Sequence, residues 1–332
     1  MQPPVIDAAP LFQGLPADRT TWHRRTREVT ATAEAIREAI SVSGFFYIRN
    51  HGIPDAVINT LRMQQRAFFA LPASTKNRIA IDQNSRGYLG HGQARMHGAT
   101  HHDQKEVFFW GTELPENHAD IVDGVPLCGL NQWPEQPAAF KQSVLTYATA
   151  IRELGDRLLA AIAYCLGSSP DFFLQHYTSP MLRGQLIHYP PTQGDEENFG
   201  VAPHTDFGCI TLLLQELAGL EALLRNSAGP DIWTPVPPIE NTLVINVGDL
   251  LEQWSGGRMP STRHRVRNTS GVDRYSIAMF YDPDPRAVID GRQLAADSTR
   301  FEPVRAADYI LGRNRGAFAQ YGEINAATNT ER

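Results

Sequence analysis

Five short apolar runs lie close together in the second half of the 332-residue chain, and they restrict its fold more than any other feature. Gly, Pro, Asn and Asp residues separate the runs, which is typical of strands joined by turns. The runs are LIHY (186–189), CITLLLQ (209–215), GLEALL (219–224), TLVINVG (242–248) and YSIAMFY (275–281). This pattern predicts a β-sandwich or a barrel rather than a series of βαβ units.

The first half has a helical pattern instead, with apolar residues spaced three and four apart. The predicted helices are residues 19–42, a segment from Asp55 as N-cap to Leu71, and residues 137–166. The aromatic run Phe45–Ile48 predicts a buried strand between the first two helices. Residues 82–135 have no steady period, so we expect long irregular connections there. The simplest architecture is one domain with helices packed around a β core.

Composition excludes several classes of protein. Hydrophobic residues make up 42% and charged residues 20%, enough apolar material for a sizeable core. The net charge of −6 and the lack of a basic run argue against nucleic acid or an anionic membrane as a partner. No apolar stretch reaches the roughly 18 residues of a membrane span, and the N-terminus does not resemble a signal peptide. Three widely spaced cysteines exclude a disulfide framework, so we expect a cytoplasmic protein.

The tripeptide His204-Thr205-Asp206, just before one predicted strand, is a candidate metal site. In an extended chain the first and third residues share a face, so an imidazole and a carboxylate can bind one ion. His264, in the segment STRHRV, is the natural candidate for a third ligand. Two histidines and one carboxylate with open positions describe the site of non-haem Fe(II) oxygenases. The tripeptide alone is a weak signal, since a polar strand end would have the same sequence.

The segment Arg274-Tyr275-Ser276 strengthens this interpretation. Arg274 and Ser276 share a face at the start of an apolar strand, so a guanidinium and a hydroxyl can bind one carboxylate together. A buried arginine without an anionic partner would be costly. If Arg274 points into the barrel, it therefore implies a bound acid; if it points outward, it is an ordinary surface arginine.

These segments occur in an order that resembles the isopenicillin N synthase-like family of Fe(II)/2-oxoglutarate-dependent dioxygenases. The segments that carry the resemblance are GFFYIRNHGIP, RGYLG, DQKEVFFW, LIHYPP, APHTDFGCITLLLQ, NVGDLLEQWSGGR, STRHRV and RYSIAMFYDP. The resemblance extends from about Val5 to Pro283. It implies a double-stranded β-helix, or jelly roll, flanked by N-terminal and central helices. Within one structural domain we expect an N-terminal cover region (1–120), the jelly-roll core with its supporting helix (121–290) and a C-terminal extension (291–332).

The resemblance also implies a role for particular residues. The metal ligands of the family fall on His204, Asp206 and His264, and the residues that bind the distal carboxylate of 2-oxoglutarate fall on Arg274 and Ser276. Tyr189 matches a tyrosine that also reaches this carboxylate. The family often has Asn-Tyr-Tyr-Pro where this chain has Ile-His-Tyr-Pro, so the resemblance does not carry over one secondary contact to the co-substrate, whereas the main anchor is retained.

The implied reaction needs Fe(II), 2-oxoglutarate and O₂. It releases succinate and CO₂ while a small organic metabolite is hydroxylated, desaturated or cyclised.

The residues that contact the substrate are the least defined by sequence. Tyr88, Arg95, Phe108 and Phe280 are the candidates for the pocket wall, and Arg95 and Lys105 are candidates for binding an acidic substrate. We also expect the stretch after Thr299 to pack as a helix over the mouth of the barrel.

Three other functions fit part of the sequence. An Fe(II) oxidase that does not use 2-oxoglutarate would have the same ligands, because isopenicillin N synthase resembles this chain at the Arg-x-Ser pair. A binding protein on an inactive oxygenase fold would not need all three ligands intact. A zinc hydrolase would want a general base beside the metal and leaves Arg274 without a role.

Overall fold

Two β-sheets enclose the candidate site in the computed structural model, which describes residues 2–12, 26–96, 99–191, 199–225 and 229–316. The strands are β1 (Val5–Asp7), β2 (Phe45–Arg49), β3 (Gly87–Leu89), β4 (Glu106–Gly111), β5 (Met181–Tyr189), β6 (Val201–His204), β7 (Ile210–Gln215), β8 (Leu220–Leu224), β9 (Ile232–Pro235), β10 (Thr242–Val247), β11 (His264–Val266), β12 (Arg274–Asp282), β13 (Val288–Ile289) and β14 (Val304–Arg305). The helices are α1 (Ala9–Phe12), α2 (Arg27–Ser43), α3 (Asp55–Phe69), α4 (Ala73–Lys76), α5 (Ala119–Val122), α6 (Phe140–Cys165), α7 (Asp249–Trp254) and α8 (Ala306–Arg315). Short 3₁₀ turns lie at Asn77–Ile79, Leu174–His176 and Gly291–Gln293.

The larger sheet has eight strands in the order β1-β2-β10-β7-β12-β5-β4-β3, and the smaller sheet has four in the order β6-β11-β8-β9. Neighbouring strands in these two sheets are antiparallel except for β1 and β2. Apolar side chains from both sheets, including Ile187, Val244, Leu220 and Val266, form one buried cluster between them. The two sheets thus form the double-stranded β-helix core that the resemblance implies.

The helices cover the opposite face of the larger sheet. Leu154 and Leu158 of α6 are fully buried there in a second cluster that also includes Ile36 of α2. Gly155 allows α6 to approach closely, because a Cβ atom at this position would overlap the Tyr281 ring of β12. The larger sheet therefore separates a helix-covered apolar core from the space that contains the site.

All five strands predicted from the apolar runs are present, as are the helices predicted at 137–166 and after Asp55. The predicted strand Phe45–Ile48 is β2. The helix predicted at 19–42 is present as α2 from Arg27, and residues 19–25 lie outside the described part of the chain.

Two expectations about local structure were wrong. Asp55 is not the N-cap of its helix but the first helical residue, and Pro54 caps it without a side-chain hydrogen bond. Residues 82–135 are not irregular throughout, because they contain β3, β4 and α5. Every residue of β4 is buried, since it lies between two strands with both of its faces covered, and it therefore has no polar–apolar alternation.

None of the described helices has both the length and the apolarity that crossing a membrane requires.

Candidate metal centre

Three side chains with metal-binding atoms meet between the two sheets. His204 ends β6 and lies directly opposite His264, the first residue of β11, while Asp206 lies in the turn that follows β6. Asp206 Oδ1 is 3.7 Å from His204 Nε2 and 3.6 Å from His264 Nε2. One donor atom from each residue lies within 4.8 Å of the other two, and the described residues contain no other such group of His, Cys, Asp or Glu.

Hydrogen bonds behind these side chains aim their free atoms at a common point. The Nδ1 atom of His204 is 2.8 Å from the carbonyl oxygen of Ala202, and that of His264 is 3.1 Å from the carbonyl oxygen of Thr262. A carbonyl can only accept, so each Nδ1 carries a proton, and in the neutral ring each Nε2 then has a free lone pair. Both histidines are thus in the tautomer that a metal ligand needs.

The Asp206 carboxylate is oriented in the same way. Its Oδ2 atom accepts hydrogen bonds from Thr211 Oγ1 at 2.6 Å and from Asn246 Nδ2 at 2.7 Å. These bonds leave Oδ1 directed toward the two imidazoles. Thr211 and Asn246 belong to the adjacent strands β7 and β10 of the larger sheet, so the sheet fixes the carboxylate of a residue that itself lies in a turn.

Burial and mutual charge set the protonation of the cluster. Burial and the neighbouring His264 ring lower the pKa of His204 to about 3. Burial alone would raise the pKa of Asp206, but the His264 and His204 rings and the Asn246 amide bring it below its ordinary value. Burial opposes charge on His264 as well, yet the Asp206 carboxylate raises the pKa of that ring. At neutral pH the cluster therefore offers an ionised carboxylate and a neutral His204.

Arg274 begins β12 beside Tyr189 of β5, and its side chain is fully buried. Its Nη2 atom donates to Gln215 Oε1 at 3.1 Å, and its Nε atom lies 3.2 Å from the carbonyl oxygens of Leu217 and Ala218. The guanidinium stacks on the Tyr189 ring at 4.8 Å. Burial lowers the pKa of Arg274, and no carboxylate of the described residues pairs with it.

Two polar atoms in this region have no hydrogen-bond partner among the described residues. They are Nη1 of Arg274 and Oγ of Ser276, and both are buried. Such groups are costly to bury unless a ligand satisfies them. They share one face of β12 with Ala278 and Phe280, and these two residues line a cavity that the three metal-binding side chains also line.

The structure brings only some of the predicted pocket residues to the cavity. Phe280 and Tyr189 line the cavity. Phe108 instead packs on Phe68 and Phe140 on the helix-covered face of the sheet, and Tyr88 packs on Phe68 there and donates a hydrogen bond to Glu106. The prediction that they line the pocket is corrected, because these two side chains point to the other face of their strands.

Of the two basic residues predicted to bind an acidic substrate, only one lines the cavity. Arg95 is exposed and does not line the cavity, whereas Lys105 does line it and pairs with the buried Asp103 at 3.0 Å.

Sequence reasoning missed four polar residues of the site. Thr211 and Asn246, which hold Asp206, lie inside apolar strand runs and are unremarkable there. Arg183 and Gln185 line the cavity from β5, upstream of the predicted run LIHY. The signal for them is their alternation with Ile187 and Tyr189, because residues that alternate along a strand share one face with Tyr189.

Comparison with known proteins gives this geometry a context. Residues 4–136 match the model described as the N-terminal region of non-haem dioxygenases in morphine synthesis, and residues 171–283 match the 2OG-Fe(II) oxygenase superfamily. A 2-oxoglutarate-Fe(II) type oxidoreductase of Emericella nidulans, hxnY, is 32% identical over 339 residues, which cover 98% of this chain and 92% of hxnY.

Solved structures give the same result. A 2OG-Fe(II) oxygenase family protein from Caulobacter crescentus has a TM-score of 0.79 at 30% identity, covering 94% of this chain and 97% of that one. A full-length Neurospora crassa protein, solved in complex with alpha-KG and thymine, has a TM-score of 0.78 at 26% identity, covering 94% of this chain and 96% of the Neurospora chain.

Proposed function

Because this chain belongs to the 2OG-Fe(II) oxygenase superfamily and is an Fe(II)- and 2-oxoglutarate-dependent dioxygenase, we propose that His204, Asp206 and His264 hold its iron. The observation that carries this assignment is the donor set: two imidazole Nε2 atoms and one carboxylate oxygen within 4.8 Å of one another. Such a set binds one side of an octahedral ion and leaves positions open. Bound there, Fe(II) supplies the redox chemistry that couples oxidation of a substrate by O₂ to decarboxylation of 2-oxoglutarate.

Arg274 and Ser276 hold the distal carboxylate of 2-oxoglutarate in this proposal. The buried guanidinium has a free Nη1 and the buried hydroxyl has a free Oγ, and both donors require an acceptor. A carboxylate supplies two acceptor oxygens and the missing negative charge. The Tyr189 ring lies against the guanidinium and also lines the cavity, so it connects the proposed carboxylate site to the cavity.

The rest of the cavity receives a small organic substrate, and hydroxylation is the reaction we expect. Its walls are largely apolar, with Met96, Phe207, Leu213 and Phe280 among them. Apolar walls exclude water, and they hold a substrate by its shape while a few polar groups orient it. The cavity lies between the two sheets beside the proposed iron ligands, so its occupant reaches the metal from within the protein.

A cytosolic location fits the cysteines. Cys128, Cys165 and Cys209 are all free thiols, and burial raises the pKa of Cys128 and of Cys165 to about 11. Free thiols are typical of a reducing compartment. Fractionation of the source cells tests this part of the proposal, and recovery outside the cytosol would contradict it.

Conversion of 2-oxoglutarate to succinate tests the assignment of Arg274 without knowledge of the substrate. We expect slow succinate formation that requires both Fe(II) and O₂. Loss of the guanidinium charge and of the hydrogen bonding by Nη1 in Arg274→Met should raise the KM for 2-oxoglutarate by roughly tenfold to a thousandfold. Arg292→Met, at an exposed position that does not line the cavity, is the control. O₂ consumption without succinate would instead identify an oxidase that does not use 2-oxoglutarate.

A further inference from the structure

The face of β5 that lines the cavity has two polar side chains that the proposed iron and 2-oxoglutarate sites do not use. Arg183 and Gln185 alternate with Ile187 and Tyr189 on this face, and all four line the cavity. The side-chain amide of Gln185 forms no hydrogen bond with any described residue. Arg183 uses Nε and Nη2 within the protein, whereas its Nη1 has no partner in the described part of the chain.

Arg183 is held from behind by a buried carboxylate. Asp282 is fully buried, and its Oδ2 accepts from Arg183 Nε at 3.0 Å and from Nη2 at 2.7 Å. The other oxygen of Asp282 accepts from the backbone N–H of Cys209 at 2.8 Å. The guanidinium also lies over the Phe280 ring, 5.1 Å from its centroid. These contacts fix the side chain before any ligand arrives, which lowers the entropy cost of binding.

The sheet register places Arg183 at a useful distance from the proposed iron. Arg183 is paired with Phe280, and Phe280 is paired with Thr211, the residue that donates to Asp206. Adjacent strands are about 4.8 Å apart, so the backbone of Arg183 lies roughly 10 Å from that of Thr211. A small molecule can therefore span the distance from the guanidinium to the metal, with Phe280 under its body.

The charges that line the cavity favour an anion. Lys105 and Arg183 line it, and their carboxylate partners Asp103 and Asp282 do not. Asp206 is the single carboxylate among the lining residues, and it is committed to the metal in the proposed function. Arginine and an amide N–H side by side present parallel donors to the two oxygens of a carboxylate.

We propose that the substrate of this enzyme is a small carboxylic acid with an apolar body, whose carboxylate binds Arg183 Nη1 and the Gln185 amide. The proposal rests on the proposed function, since it takes the iron and 2-oxoglutarate sites as given. Arg183 and Gln185 determine the specificity for this class of substrate.

The test is equilibrium binding to the anaerobic enzyme loaded with Fe(II) and 2-oxoglutarate. The probes are three pairs of acid and amide of matched shape: acetate and acetamide, butyrate and butyramide, phenylacetate and phenylacetamide. Calorimetry measures affinity, while the visible band of the iron–2-oxoglutarate complex reports whether a probe displaces 2-oxoglutarate. We expect at least one acid to bind about tenfold or more tightly than its amide with the band retained.

Two variants connect that preference to the named residues. Arg183→Gln combined with Asp282→Asn avoids an unpaired buried carboxylate, and the asparagine still accepts from Cys209. This double variant should bind acid and amide equally, with the band unchanged. Gln185→Leu should reduce the preference severalfold, whereas Gln175→Leu, an exposed glutamine remote from the cavity, should retain it in full.

The outcomes separate the two proposals. If the wild type forms no band, the proposed function fails and this inference fails with it. If the band forms but no acid is preferred, or the preference survives in the double variant, the proposed function stands and the carboxylate site is refuted.

Discussion

Asp206 depends on its neighbours more than the two histidines do, because it lies in a turn and its carboxylate must present one particular oxygen. Thr211 and Asn246 both donate to Oδ2 and so leave Oδ1 for the metal. Residues that orient a metal ligand in this way commonly change metal affinity when they are removed. The sheet, rather than the turn, therefore sets the geometry of the ligand.

Replacing Thr211 tests this dependence. Thr211→Val keeps the shape of the side chain but removes the donor, so we expect the dissociation constant for Fe(II) to rise about 10-fold to 100-fold. An anaerobic Fe(II) titration measures it. Thr234→Val on β9, where the hydroxyl bonds to the backbone of its own strand, is the control. Equal Fe(II) affinity in the two variants would show that the Thr211 hydrogen bond does not orient the ligand.

The two carboxylate partners of His188 predict that the stability of the protein depends on pH. Its Nδ1 is 2.7 Å from Glu106 and its Nε2 is 2.8 Å from Asp273. Burial lowers the pKa of His188, but the two carboxylates outweigh burial and raise it above 6.5. A raised pKa in the folded state means that the protonated ring stabilises the protein fully below pH 6.5 and that this contribution is lost as the pH rises through the folded value.

Urea unfolding at a series of pH values measures this effect. The free energy of unfolding of the wild type should fall, relative to that of His188→Gln, as the pH rises above 6.5. Since His188 and Asp273 adjoin Tyr189 and Arg274 in the chain, the affinity for 2-oxoglutarate should be compared in the same samples. A constant difference between the two proteins across the pH range would contradict a protonated His188.

At the level of single residues, sequence identified the groups that the resemblance singles out and missed those that depend on tertiary context. His204, Asp206 and His264 were found because His-x-Asp and the distal histidine form a pattern along the chain. Phe108 was assigned to the cavity although its neighbours Val107 and Phe109 belong to the cluster between the sheets. In a strand buried on both faces, nothing in the local sequence tells one face from the other.

Among the elements, β4 and β5 pack so closely that a side chain of one strand covers the backbone of the other. Gly184 of β5 is paired with Trp110 of β4, and a Cβ atom at Gly184 would overlap the Trp110 ring. Since Trp110 is buried, it has little room to move. This glycine is thus required by side-chain packing rather than by backbone conformation.

Gly184→Ala should therefore destabilise the fold by about 1–3 kcal/mol, the usual cost of overpacking a core. Thermal and urea unfolding measure the change. Gly312→Ala in α8, where an added Cβ meets no atom within 4 Å, is the control and should be neutral or slightly stabilising. A Gly184→Ala protein as stable as the wild type would mean that Trp110 moves aside without cost.

Helix α8 joins the C-terminal part of the chain to the metal centre. Arg313 bonds to Asp249 and, at 3.2 Å, to Thr205 Oγ1, and its guanidinium lies 4.5 Å from the centroid of the Phe207 ring. Asn314 of the same helix lines the cavity. The expected helix after Thr299 is present as α8, and its contacts hold both neighbours of Asp206.

Removing Arg313 should loosen that turn. We expect Arg313→Met to raise the dissociation constant for Fe(II), but by less than Thr211→Val, because Arg313 acts on the residues beside the ligand and not on the ligand itself. The same Fe(II) titration measures it. Arg315→Met, on an exposed position of the same helix, provides the comparison, and identical affinities in the two arginine variants would exclude this role for α8.

The elements predicted from sequence were those with a clear period or a clear boundary. The amphipathic α2 and α6 and the turn-bounded β7, β10 and β12 are of this kind. The strands β6, β9 and β11 have three or four residues each and take their pairing from distant segments. Local sequence contains little information about such strands, although β6 and β11 hold the two histidines of the metal centre.

For the whole molecule, the N-terminal region and the core are joined in one sheet. The first 120 residues supply β1 to β4, and β2 pairs with β10 while β4 pairs with β5. The division at residues 120 and 290 remains a prediction about organisation. The double-stranded β-helix itself came from the resemblance, because periodicity alone gave a sandwich or a barrel without the pairing of its strands.

In the proposed function this one fold holds Fe(II) on His204, Asp206 and His264 and holds 2-oxoglutarate on Arg274 and Ser276. Anaerobic titration of the metal-free protein, first with Fe(II) and then with 2-oxoglutarate, tests it most directly through the weak visible band of an iron-chelated keto acid. We predict that the band forms in the wild type, is absent in His204→Ala and needs far more 2-oxoglutarate in Arg274→Met. Bound iron without a band in the wild type, or an unchanged 2-oxoglutarate requirement in Arg274→Met, would contradict the claim.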